Sequence, residues 1–154
     1  MILRNLSLVV VCILAVTFLV ASPAVAGGKV TPTSLAGVKY VSAEDVKAML
    51  GKDNVYIMDM RKAINYGKGH VPGAVSNPYK WNQPKPKDPA QRTGMFDTSK
   101  LPADKNTTLI FHSDGPTGWK SYYAAKWAAE NGYKKVLYMR EGSSGWVAKK
   151  LPME

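Results

Sequence analysis

The sequence predicts an α/β fold, a single domain built on a central parallel sheet with helices on both faces. Two observations predict it. Short apolar strands alternate along the chain with segments that carry helix start and stop signals, the order of a parallel sheet whose crossovers are helical. One of those strands, Val55 to Met60, is apolar at nearly every position, which suits a strand buried in the middle of such a sheet.

The elements follow in order. Residues 27–37 are rich in Gly, Thr, Ser and Pro and read as a flexible lead-in to a domain over residues 38–154. Val38 to Val41 is a short strand, and Ser42 with Asp45 forms a capping box for a helix from Ala43 to Leu50 that stops at Gly51. The strand Val55 to Met60 ends in the polar pair Asp59 and Arg61. A helical turn over Lys62 to Tyr66 and a short strand at Val75 come next. Residues 79–106 hold Pro84, Pro86, Pro89 and Pro102 with no sustained apolar period. They are expected to be a long, basic, irregular loop, and loops of that length tend to be functional or mobile. Thr107 to His112 is a strand, Ser113 to Gly118 a turn, and Trp119 to Glu130 a helix that stops at Asn131-Gly132. Lys135 to Arg140 is the last strand, and a helical segment over Trp146 to Lys150 closes the domain.

Ahead of this domain, Arg4 is followed by the apolar run Leu6 to Val20 and the small-residue site Ala24-Val25-Ala26. A charged start, an apolar stretch and such a site make a signal peptide over residues 1–26. The mature protein is expected to begin near Gly27, in the periplasm or outside the cell, and not to span a membrane. Cleavage removes Cys12, the single cysteine, and leaves no thiol nucleophile and no disulfide. It also removes Arg4 alone among charged residues, so the formal charge of +10 falls by one. The dispersed lysines keep the surface soluble and favour anionic partners. Export and the lack of a recognised binding motif argue against nucleic acid.

Ile57 to Arg61, then Tyr66, then Gly69-His70-Val71-Pro72-Gly73-Ala74, is similar to the rhodanese family, where an apolar strand ends Asp-x-Arg and is followed by an aromatic residue and Gly-His-Ile-Pro-Gly-Ala. Lys120-Ser121, Ala124-Ala125, Gly132 to Val136, Glu141-Gly142 with Trp146, and Leu151-Pro152 extend the resemblance over about residues 38–152. The resemblance implies structural support roles for Asp59, Arg61 and His70. It also implies a site at the turn after the strand ending at His112, where active members carry a cysteine whose persulfide is wrapped by backbone N–H groups. This chain has Ser113 there, Lys120 at the place of the family's arginine, and a turn about two residues longer.

A thiol is readily turned into a thiolate by a helix N-terminus and nearby cations, whereas a serine hydroxyl needs a partner base. His112 is adjacent in sequence and so points to the opposite face of its strand. The first expectation is therefore a binding module without thiol sulfur transfer. Its turn, Asp114, Gly115, Thr117, Gly118, Trp119 and Lys120, would hold a small oxyanion at the helix N-terminus or meet an exported protein partner. The alternative is a sulfurtransferase-like or hydrolytic enzyme using Ser113 or another group. Ser113→Cys is expected to gain a persulfide. No cofactor is expected, and no metal, because the methionines fall in structured apolar runs without a ligand cluster.

Overall fold

The computed structural model describes residues 30–154; the expected signal peptide and the start of the lead-in lie outside the described residues. The strands are β1 (Val38–Tyr40), β2 (Val55–Asp59), β3 (Val75–Ser76), β4 (Lys80–Trp81), β5 (Gly94–Met95), β6 (Thr108–His112) and β7 (Lys135–Tyr138). The helices are α1 (Ala43–Lys47), α2 (Ala63–Tyr66), α3 (Trp119–Glu130) and α4 (Gly142–Ala148). Five strands form one parallel sheet in the order β1-β7-β6-β2-β3. The α/β class with a central parallel sheet is the one the sequence predicts.

Alternation along the central strands sends side chains to two separate cores. Met58, Met60, Leu109 and Phe111 pack under α3, while Ile57, Ile110 and Met139 pack against Ala43 and Val46 of α1 and Trp146 of α4. α3 meets the sheet through Ala124, Ala125 and Ala128, all fully buried, so the helix lies close to the strands. At the start of α1 the capping box forms as its residues imply: the Ser42 hydroxyl accepts from the Asp45 N–H, and the Asp45 carboxylate accepts from the Ser42 N–H.

Besides α1, which ends at Lys47 where Leu50 is expected, three segments differ from the sequence expectation. Residues 79–106 are ordered into a second layer. β4 and β5 pair antiparallel, Tyr79 and Leu101 are buried in the α3-side core, and Tyr123 of α3 donates its hydroxyl to the carbonyls of Pro89 and Ala90. The aromatics left outside by the alanine face of α3 are covered by this layer: Phe96 meets Trp127 edge-on at 5.4 Å, and Trp81 meets Tyr123 at 5.8 Å.

The lead-in is docked rather than flexible at Thr31, which is 2 % exposed. Its N–H and hydroxyl donate to the Pro116 carbonyl, and its own carbonyl accepts from Arg140. Finally, α4 starts at Gly142, four residues before the expected Trp146. Ser143 and Ser144 donate their N–H and hydroxyl groups to the carbonyls of Ser113 and Asp114, which gives the first turn its partners.

Candidate functional site

The carboxyl ends of β2 and β6 lie side by side, where open α/β sheets place their sites. Register pairs Asp59 with His112, and both side chains are fully buried. Asp59 is held by Arg61: Nε sits 3.0 and 2.9 Å from the two carboxylate oxygens, Nη2 2.6 Å from one of them, and the Arg61 N–H 2.9 Å from the other. The same guanidinium donates to the Gly69 carbonyl at 2.8 Å, which ties the ion pair to the Gly69–Gly73 loop. His70, in that loop, stacks on Tyr66 with ring centroids 3.7 Å apart, and its N–H and carbonyl pair with those of Glu154. These contacts tie Asp59 and Arg61 into the surrounding backbone, while the His70 side chain stays 17 % exposed.

His112 lies between two acceptors. Its Nδ1 is 3.4 Å from the Ser113 carbonyl and its Nε2, which has no hydrogen-bond partner, is 3.8 Å from the Asp59 carboxylate. Burial pushes its pKa below the usual histidine value, with the Asp59 charge pulling the other way. It stands on the face opposite Ser113 and gives that hydroxyl no base.

Ser113 is 2 % exposed. Its hydroxyl lies 2.8 Å from the Ser121 hydroxyl and 3.2 Å from the Gly118 carbonyl oxygen, which accepts from Ser121 as well. The turn is closed by its own backbone, with the Gly118 N–H on the Gly115 carbonyl and the Trp119 N–H on the Thr117 carbonyl. A Cβ added at Gly118 would fall 2.1 Å from the Ser113 oxygen and 2.7 Å from the Gly115 carbonyl, so only glycine fits there.

In the turn expected to cradle an anion (Asp114, Gly115, Thr117, Gly118 and Trp119), two N–H groups, those of Gly118 and Trp119, are thus taken by the turn itself. The group aimed at the Ser113 oxygen is a carbonyl oxygen, which repels an anion. Gly115, Gly118 and Trp119 are buried, Trp119 at 5 % exposure with its indole N–H unpartnered. Asp114 and Thr117 face solvent. Lys120, at the end of the turn, lines an open cleft.

That cleft, of about 400 Å³, is lined by Lys62, Lys80 and Lys120 around Pro78, Tyr79 and Trp81. Partial burial lowers the Lys120 pKa; Asp114 opposes this, and the positive charges of Lys62 and Lys85 add to it. Three cations thus converge on an aromatic floor. Lys80 and Trp81 carried no signal in the sequence beyond the basic character of residues 79–106, and Lys62 none beyond its place among the dispersed lysines. Thr31, Ser143 and Ser144, which also bond to the turn, carried none.

A parallel α/β sheet with an Asp-x-Arg strand end, a Gly-His-x-Pro-Gly loop and a glycine-bearing turn before a long helix defines a rhodanese-type domain. The family model described as Rhodanese-like domain matches residues 42–149, and the chain belongs to that family. It is 23 % identical over 116 residues to the uncharacterized protein YibN of Escherichia coli K12, covering 75 % of this chain and 72 % of that one. Among solved structures it is similar to the BH2092 protein of Bacillus halodurans, at 21 % identity and a TM-score of 0.56, covering 75 % of this chain and 76 % of that one. It is also similar to a thiosulfate sulfurtransferase of Pseudomonas aeruginosa, at 21 % identity and a TM-score of 0.52, covering 76 % of this chain and 20 % of that one. The likeness to these solved structures is one of fold. No helix among the described residues is long and apolar enough to cross a membrane.

Proposed function

We propose that this chain is an exported rhodanese-like domain that binds a negatively charged partner and does not transfer sulfur through a thiol. One observation carries the reading: the residue at the family's cysteine position is a serine whose hydroxyl is buried and bonded to Gly118 and Ser121. A hydroxyl without a base is a poor nucleophile, and one shut inside its own turn meets no substrate. The lysine-lined cleft beside the turn supports the binding half of the proposal. The Ala24-Val25-Ala26 site supports export, with a mature start near Gly27.

A thiosulfate:cyanide assay on the mature protein tests the first half. Background turnover is expected, and turnover above it overturns the proposal. Titration with thiosulfate, sulfate or phosphate tests the second half. Trp81, half-buried on the cleft floor, is the reporter, in place of the buried Trp119. Intact mass of the secreted protein tests export, and a full-length membrane-bound product would refute it.

A further inference from the structure

We infer that the lysine-lined cleft is one half of a docking groove for an extended, acidic peptide segment of a protein partner. This rests on the binding reading above and names the partner class. A second cavity of about 530 Å³ adjoins the first, sharing Ala63, Pro78 and Lys80 with it and adding Asn77, Met95, Phe96 and Lys100. Either half alone has the volume of a small-ligand pocket, in the range of roughly 300–1,000 Å³. Two such halves sharing a wall form an elongated depression, which fits a chain better than a compact molecule.

The chemistry of the walls selects the chain. Lys62, Lys80, Lys100 and Lys120 stand around it, and the floor between them is Pro78, Trp81, Phe96 and Met95, the last 63 % exposed. One carboxylate, Asp97, lies in the groove, and it is occupied by the N–H and hydroxyl of Ser99 at 3.0 and 2.6 Å. Lys100 donates to the Ser76 carbonyl at 2.8 Å, which holds its charge at the rim. An extended chain alternates its side chains between two sides. Acidic residues at one parity would meet the lysines while apolar residues at the other cover Met95 and Trp81. Charge complementarity of this kind sets encounter rate and partner choice.

The test is fluorescence anisotropy of a fluorescein-labelled peptide Glu-Asp-Leu-Asp-Leu-Glu-Asp with the full mature protein. Saturable, salt-sensitive binding is expected. Lys80→Glu, Lys120→Glu and Met95→Asp should each weaken it about tenfold, a typical loss for one opposed charge at an interface. Lys47→Glu, on α1 and outside both cavities, should leave it unchanged. A peptide with serine for each leucine should bind more weakly. No saturation by ~1 mM, the affinity floor of a weak specific contact, overturns the inference. So does an equal loss from Lys47→Glu, or equal binding of a labelled oligothymidine, because either result reduces the effect to net charge. If the peptide fails while sulfur transfer stays at background, only the groove assignment falls and the non-transferring reading stands.

Discussion

Asp59 and His112 are register partners on β2 and β6, yet the imidazole Nε2 stops 3.8 Å short of the carboxylate and bonds to nothing. The Arg61 guanidinium already holds Asp59, and His112 is left buried among acceptors in a neutral state. Below the ordinary histidine pKa the unfolded chain takes up a proton that folded His112 refuses. The contribution is therefore favourable above about pH 6.5 and is lost as pH falls, with a slope of at most ~1.4 kcal/mol per pH unit. His112→Phe should make stability less acid-sensitive between about pH 7 and about pH 5. Urea unfolding at a series of pH values checks it, and parallel curves for the two proteins would refute it.

The Asp59–Arg61 pair is buried, so removing one partner strands a charge. Arg61→Leu should cost about 3–5 kcal/mol, and Asp59→Leu with Arg61→Leu should cost less than the sum of the single changes. Chemical denaturation of the four proteins measures this. Additive losses would mean that the pair contributes no coupling.

Ser113→Cys was expected from the sequence to gain a persulfide. The closed turn changes that expectation, because the sulfur would belong to a residue that is 2 % exposed and would face the Gly118 carbonyl. Burial raises a thiol pKa, and reaction must wait for local opening. Labelling of this cysteine by a soluble disulfide reagent should be at least about tenfold slower in native protein than in urea-unfolded protein. Equal rates would show the turn to be open.

Thr31 joins the lead-in to the turn through Pro116, and its hydroxyl also lies 3.2 Å from the Tyr138 hydroxyl. Thr31→Val keeps the shape and removes the hydroxyl, at a cost of about 1 kcal/mol. Amide exchange at Gly118 and Trp119 should quicken with it. Unchanged exchange would separate the lead-in from the turn.

The sequence carried the sheet because local signals mark it: the capping box at Ser42, the stop at Gly132 and the apolar strands at Ile57 and Ile110 all lie within a few residues of what they organise. The second layer was not legible. Tyr79, Trp81 and Phe96 follow no helical or strand period, and each is placed by contact with Tyr123 or Trp127 of α3, remote in sequence. The turn after β6 was half legible. Its place in the chain followed from the order of motifs, but the inward Gly118 carbonyl depends on backbone direction, which residue types do not encode. The early start of α4 was hidden for a related reason: Gly142-Ser143-Ser144-Gly145 has the composition of a loop, and becomes helix through partners on the turn after β6.

Tyr79 and Leu101 anchor residues 79–106 in the α3-side core, and the stretch between them rests on α3 through aromatic edges and the Tyr123 hydroxyl, with most of its surface in water. Such a stretch can lift while the sheet beneath stays folded, so it has an opening equilibrium of its own. Trp81 and Met95, which wall the groove, belong to it. Measured affinity at the groove is then the intrinsic affinity scaled by the fraction of molecules with the layer down. Any change that loosens the seat of Tyr123 lowers that affinity without touching a single groove residue, and an occupant in turn holds the layer shut.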